Sequence, residues 1–249
     1  MQTWRFIPLL DAPGTVQMAL DSWLLTQHQQ GNHPSTLRFY TWKPAAISLG
    51  YHQHHWPGHW QQLTWQGEAL ELVRRPTGGR AVLHQGDLTY AIVTSGLPVN
   101  RLEAYRTVCE FLIQGWRSLG VELQYGQAGR GYIGNPNCFD VATGADLVLA
   151  DGSKLVGSAQ LRRGSGALQH GSMPLWADSA LFQQVFGVAP KVSALPPFAQ
   201  ATLISTVIDA LTTAAEACFG AKFQVQPLSN DEWEAVLSHG ETWSIESGA

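Results

Sequence analysis

The spacing of apolar side chains divides the chain into elements. Between Asp11 and Thr26, the residues Val16, Met18, Ala19, Leu20, Trp23, Leu24 and Leu25 recur at helical spacing, with Pro13 and Gly14 ahead of them as a start signal. This predicts an early amphipathic helix. Thr36 to Trp42 (TLRFYTW) alternates as a strand; Pro44 breaks the run and AISLGY resumes it. Leu70 to Arg75 and Leu88 to Thr94 read as strands on either side of a loop rich in glycine and arginine. Asn100 to Leu119 puts Tyr105, Val108, Cys109, Phe111, Leu112, Trp116 and Leu119 on one face of a long helix. Extended segments are expected around Val121 to Tyr125, Asp146 to Ala150 and Lys154 to Leu161, with a turn at Asp151-Gly152, and again at Met173 to Leu175. Pro196 to Ala217 predicts a final long helix, and the tail from Phe223 is mixed. Strands and helices mix without regular alternation, so the predicted class is α+β, a sheet carrying helices, and not a doubly wound parallel fold.

Composition narrows the picture. The 249 residues are 45% hydrophobic and 14% charged, enough to bury a core and too apolar for disorder. No repeat or low-complexity linker interrupts them, so residues 1–249 are expected to form a single domain. Fifteen basic and nineteen acidic side chains leave a net charge of −4, which gives no ground for nucleic acid or an anionic membrane as the main partner. The three cysteines, Cys109, Cys138 and Cys218, are odd in number and far apart, without a CxxC pair. Neither a disulfide framework nor a zinc site is expected, and reduced thiols fit a cytoplasmic location. The N-terminus lacks a basic start with a long apolar run, and no stretch nears the ~20 apolar residues of a spanning helix. His52, His54, His55 and His59 cluster in sequence, but Pro57-Gly58 and the lack of carboxylates predict a surface loop and not a metal site.

The candidate chemistry begins in RRPTGGRAVLHQGDLTY, Arg74 to Tyr90. Gly78-Gly79 permits positive φ or close approach of backbone to a ligand, and consecutive amides in such a turn attract anions. Arg75 and Arg80 have the forked geometry that holds phosphate or carboxylate. A plain hairpin connection with solvated arginines accounts for the same residues, and the loop alone leaves both readings open. A second constellation lies in NPNCFDVATGADLVLADGSKLVGSAQLRRGSGALQHGSMPL, Asn135 to Leu175, where a thiol, a strand lysine, a GSA turn and a histidine follow at modest intervals.

Together with MALDSWLL and TLRFYTWKPAAISLGY, these motifs resemble the catalytic domain shared by lipoate-protein ligases and cysteine-dependent octanoyltransferases, in the biotin/lipoate ligase superfamily. The resemblance covers nearly the whole chain. It implies a mostly antiparallel, twisted mixed sheet flanked by helices, with a tunnel for a medium-length acyl chain beneath the Gly78-Gly79 loop. The implied substrate contacts are Arg75, Gly78, Gly79, Arg80, Ala81, Val82, Leu83, His84, Gly157, Ser158, Ala159 and His170, with Lys154 directed at the acyl carbonyl. ATP-dependent members usually carry a third glycine where this chain has Arg80, and members with a cysteine nucleophile carry it ahead of the lysine, where this chain has Cys138. Both differences imply acyl transfer without ATP.

The implied activity moves octanoyl from acyl carrier protein to Cys138, and then to the lysine of a lipoyl domain or glycine-cleavage H protein, with no cofactor required. An ATP-dependent lipoate or octanoate ligase is the alternative enzyme; there Arg75 and the Arg80 to Leu83 backbone would hold nucleotide, with ATP and Mg as cofactors. An acyl-binding or carrier-docking protein without catalysis is the alternative outside enzymes. The chemistry suits transfer on its own terms, because a thioester donor is already activated and a thiolate can take the acyl group directly. A thiol near pKa ~8.5 needs a neighbouring cation or base. Lys154 can serve as either, and amides near Gly157 and Ser158 can face the oxyanion. Cys109 and Cys218 read as buried helix residues, while the Pro136-Asn137 turn sets Cys138 on a loop. His84 and His170 are expected to orient loops by hydrogen bonds or to line the acyl pocket.

Overall fold

The computed structural model describes residues 2–126, 144, 146–190, 195, 199–238 and 243–245. The first half contains β1 (Gln2–Ala12), α1 (Gly14–Gln29), β2 (Thr36–Trp42), β3 (Ala46–Leu49), a 3₁₀ turn (Gly58–Gln62), β4 (Thr64–Trp65), β5 (Glu68–Ala69), β6 (Glu71–Arg74), β7 (Val82–His84) and β8 (Asp87–Ser95). The second half contains α2 (Arg101–Ser118), β9 (Gln124–Tyr125), β10 (Leu147–Val148), β11 (Lys154–Arg163), β12 (Gly166–Pro174), α3 (Ser179–Phe186), α4 (Leu203–Phe219), β13 (Ala221–Val225) and α5 (Asn230–Leu237).

The main sheet has eight strands in the order β13-β1-β2-β8-β12-β11-β10-β9. β1 runs parallel to both β13 and β2, and every other neighbouring pair is antiparallel. The α+β class with a mixed sheet flanked by helices is as the sequence implied. Successive side chains along a strand point to opposite faces. On β8, Leu88, Tyr90 and Ile92 pack with α2 and α4, whereas Ala91 and Val93 pack with α1 and α5. A second sheet, β6-β3-β7, sits beside the α1 face and shares a cluster of Ile47, Leu49 and Trp60 with Leu181 and Val185 of α3. Pro13 gives α1 no side-chain cap, and Glu71 of β6 fills the role: its carboxylate accepts the amides of Gly14 and of Thr15, the latter at 3.0 Å. That contact fixes the small sheet against the helix start.

Several boundaries differ from the pattern. β1 was not predicted, because Pro8 and a register shift between Ile7 and Leu10 interrupt its alternation. Of the strand expected at Met173 to Leu175, Met173 and Pro174 are the end of β12, which is buried up to Met173 although it contains glycine, serine, glutamine and histidine. The helix expected from Pro196 starts at Leu203 and is followed by β13 and then α5; residues 196–198 lie outside the described residues. The loop expected between the strands at residues 75 and 88 contains β7. His52, His54, His55 and His59 are exposed, and among the described residues no group of His, Cys, Asp or Glu could hold a metal ion. No described helix is long and apolar enough to cross a membrane.

Candidate active site

A cleft of about 440 Å³, counting the part open to solvent, lies between the α1 face of the main sheet and the small sheet. Of the residues expected at the site, Arg75, Gly79, Val82, His84, Gly157, Ser158, Ala159 and His170 line it. Gly78, Arg80, Ala81 and Leu83 belong to the same loop and strand without lining the cleft. Met18, Tyr40, Trp42, Ser48, Thr89, Gly171 and Ser172 line it as well and were not anticipated.

The loop over the cleft is held from inside. Arg75 is buried at the end of β6 and donates from Nη1 to the Ser48 carbonyl at 2.9 Å. Its Nη2 donates to the carbonyls of Gly78 at 2.9 Å and Arg80 at 2.7 Å. The fork that sequence offered to an anion thus clamps the loop's own backbone. Gly79 has φ +99°, a conformation costly for any other residue, and a Cβ there would meet the Arg75 guanidinium. Gly50, at the end of β3, faces the Gly79 carbonyl so closely that a Cβ on it would collide with that backbone.

Two buried carboxylate–histidine relays tie this loop region to the sheet. In one, Asp21 of α1 accepts from Arg38 Nε at 2.8 Å, Tyr40 Oη at 3.0 Å and His170 Nδ1 at 2.7 Å. His170 Nε2 lies 2.6 Å from Thr77 Oγ1 in the loop. Burial alone would raise the Asp21 pKa, but Arg38 and the His170 hydrogen bond outweigh it and hold the carboxyl below its ordinary value. In the other relay, Asp87 Oδ2 takes His84 Nδ1 at 2.8 Å, Thr89 Oγ1 at 3.1 Å and Ser172 Oγ at 2.6 Å. His84 Nε2 faces Ser48 Oγ at 2.8 Å, and the ring stacks on Trp42 with centroids 3.7 Å apart. Burial lowers the His84 pKa against the pull of Asp87, so the ring is neutral, donates at Nδ1 and accepts the Ser48 hydroxyl at Nε2.

Lys154 begins β11 and is buried, with Nζ 3.0 Å from Asp146 Oδ1 just ahead of β10. It does not line the cleft, although Gly157 to Ala159 on the same strand do. The amide of Gly126 donates to the Asp146 carbonyl at 2.9 Å, joining the described residues that flank the Cys138 segment. Cys138 itself lies outside the described residues. Cys109 is buried in α2 as expected, but in polar company: Gln169 Nε2 donates to its sulfur at 3.3 Å. Burial pushes its thiol up to about 12 despite that hydrogen bond. Cys218 is exposed near the end of α4, contrary to the expected burial, because it falls on the outer side of the helix whose buried residues include Leu211 and Ala215.

A large mixed sheet flanked by helices is a fold shared with lipoate-protein ligases. The chain superposes on a protein of T. acidophilum with bound lipoic acid at TM-score 0.79 and 22% identity, covering 97% of this chain and 96% of that one. It superposes on lipoate-protein ligase A bound with ATP at TM-score 0.76 and 23% identity, covering 97% and 95%. The profile of the lipoyl protein ligase A/B catalytic domain matches residues 13–215, so the chain belongs to that family. Among curated relatives it is 38% identical over 189 residues to the octanoyltransferase LipM of Halalkalibacterium halodurans, covering 72% of this chain and 68% of the relative. Identity is also 38% over 191 residues to the octanoyltransferase LipM of Bacillus subtilis, covering 71% and 67%.

Proposed function

We propose that this protein is an octanoyltransferase of protein lipoylation, a single-domain cytoplasmic acyltransferase that works without ATP or another cofactor. It takes octanoyl from an acyl carrier protein onto Cys138 and passes it to the lysine of a lipoyl domain or glycine-cleavage H protein. The observation that carries the reading is the 38% identity to relatives named octanoyltransferases, in a chain with Arg80 after the glycine pair. The geometry supports it in two ways. The accessible wall of the cleft is mostly apolar, as an octanoyl group requires. Lys154 is fixed by Asp146 on the strand that also carries Gly157 and Ser158, beside the flanks of the Cys138 segment.

The steps follow from thiol chemistry. The Cys138 thiolate attacks the donor thioester carbonyl, the carrier's thiol leaves with a proton, and an octanoyl-cysteine thioester remains. Lys154 supplies the cation or base that raises the thiolate fraction. Loop and strand amides face the oxyanion of the tetrahedral intermediate. The acceptor's neutral lysine amine then attacks the thioester, forming the amide and releasing the Cys138 thiol. Cys109 is excluded as nucleophile by its burial and a thiol held protonated at neutral pH.

Intact-mass analysis after incubation with octanoyl carrier protein, without ATP, tests the reading. One octanoyl adduct, sensitive to hydroxylamine, is expected; Cys138→Ala loses it, while Cys109→Ala and Cys218→Ala keep it. AMP release from ATP with free octanoate, and no carrier-dependent adduct, would overturn it in favour of a ligase.

A further inference from the structure

The two carboxylate–histidine relays end on different hydroxyls. One ends on Thr77, which does not line the cleft; the other ends on Ser48, which does. Alternation along β3 sends Ile47 and Leu49 into the cluster against α3 and Ser48 to the opposite side, toward His84. Pairing of β3 with β6 on one edge and β7 on the other holds the serine's backbone in place. Ser48 Oγ lies 2.8 Å from His84 Nε2 and accepts from Arg75 Nη1 at 3.2 Å. Behind the ring, His84 Nδ1 donates to Asp87 Oδ2 at 2.8 Å, and Thr89 and Ser172 donate to the same oxygen at 3.1 and 2.6 Å. Both links of the chain fall within the roughly 2.6–3.2 Å over which a nucleophile, its base and the group that orients the base act together.

The geometry points to a second activity: Ser48, His84 and Asp87 form a nucleophile, base and orienting acid that hydrolyse esters and thioesters of small carboxylic acids, apart from any transfer through Cys138. Ser48 Oγ adds to the substrate carbonyl while its proton passes to His84 Nε2. Asp87 holds the ring in the tautomer that can accept that proton and favours the imidazolium that forms. The Arg75 guanidinium beside Oγ favours the negative tetrahedral intermediate. Nε2 returns the proton to the departing alcohol or thiol, leaving an acyl ester on Ser48. Water then attacks this ester with His84 again as base, and the carboxylic acid leaves as the Ser48 hydroxyl is restored. The balance is ester plus water giving acid plus alcohol or thiol, with no further reactant. Facing His84 are Asp87, Ser48 and the Trp42 ring, with Arg75 and His170 nearby. Burial outweighs Asp87 and keeps the ring neutral at neutral pH, ready to act as base.

Incubation of the wild-type protein with phenylmethylsulfonyl fluoride, which sulfonylates activated serines with loss of fluoride, reads the nucleophile directly after peptide mapping. An adduct is expected on Ser48 and not on Ser158 or Ser172, which line the same cleft but face Tyr90 and Asp87 in place of a histidine. Mapping also separates it from any adduct on Cys138. The rate of Ser48 labelling should rise with pH to a plateau, with its midpoint below the ordinary 6.5 of histidine, as His84 loses its proton. Ser48→Ala, in protein that still melts cooperatively, should slow release of p-nitrophenol from p-nitrophenyl butyrate by about 100-fold or more, in line with the contribution of a positioned base. Labelling of Ser48 no faster than that of Ser158 and Ser172, or hydrolysis unchanged in Ser48→Ala, overturns the proposal. Octanoyl labelling of Cys138 without sulfonylation of Ser48 would overturn the triad and leave the transfer reaction standing; the opposite pair of results would do the reverse.

Discussion

The two faces of the main sheet are packed by different means. Toward α2 and α4 the contacts are almost wholly apolar: Leu37, Phe39 and Ile92 meet Val108, Phe111, Leu112, Val207 and Leu211. Toward α1 the sheet presents Arg38, Tyr40 and His170, buried against Gln17 and Asp21. An apolar face holds a sheet together through area removed from water and tolerates small displacements. A buried charge network is less forgiving, because removing one member strands another in a low-dielectric interior. Its gain is positional: Asp21 and Asp87 fix the rotamers and tautomers of the two histidines against which the loop and the cleft are built. The cleft lies on the network's side of the sheet, and α2 and α4 serve as the foundation under it.

The comparison breaks most visibly at Arg38. Arg38→Met keeps much of the volume but leaves the Asp21 carboxylate without the cation that donates to it at 2.8 Å. A loss of about 4 kcal/mol of folding stability is expected from breaking such a buried pair, measured by urea denaturation. The octanoate-induced rise in melting temperature should vanish in the fraction that remains folded. If stability falls by less than about 1 kcal/mol, the polar face is not organised by this pair.

On the opposite face, Leu112→Ala removes buried methyl groups from α2 against α4 and should cost about 3 kcal/mol by the same measurement. Here the octanoate-induced shift should persist at temperatures where the variant is folded, since no residue of α2 lines the cleft. Losing the shift along with the stability would mean that the two faces are coupled and that the division drawn above is false.

The apolar face was the easier one to read in sequence. Asn100 to Leu119 gave α2 almost to the residue, with Asn100 as the cap that accepts from the amides of Leu102 and Glu103. TLRFYTW gave β2, and the loop motif together with KLVGSAQ and LQHGSMPL gave half of the cleft lining. The other half came from side chains whose role depends on partners distant in sequence. Trp42 and Thr89 meet across strands, and Ser48 reaches His84 only because β3 pairs with β7. Two signals were visible. Asp21 interrupts the apolar stripe of α1 between Leu20 and Leu24, and Arg38 interrupts the buried run of β2. A charge placed on a buried face asks for a partner of opposite sign. Which partner it finds is set by topology, which periodicity does not give.

The smallest effect expected is a pH dependence confined to the polar face. Facing His84 are Asp87 at 2.8 Å, Ser48 and the stacked Trp42 ring, with Arg75 and His170 nearby. Burial, opposed by Asp87, lowers the His84 pKa from its ordinary 6.5. Above 6.5 the ring is neutral in both folded and unfolded chains, and its contribution to stability is complete. As pH falls below 6.5 the unfolded ring takes up a proton before the folded one does, so stability declines until the folded pKa is passed. Melting temperatures should therefore drop from pH 7.5 toward pH 5, and His84→Gln should flatten that slope. His33 is shifted in the same direction, chiefly by its own desolvation, so His33→Gln provides the comparison. Asp21 stays ionised throughout this range, because its loss begins only below the ordinary value of 3.8. If His84→Gln leaves the slope unchanged while His33→Gln removes it, the acid sensitivity belongs to the surface and not to the relay beneath the cleft.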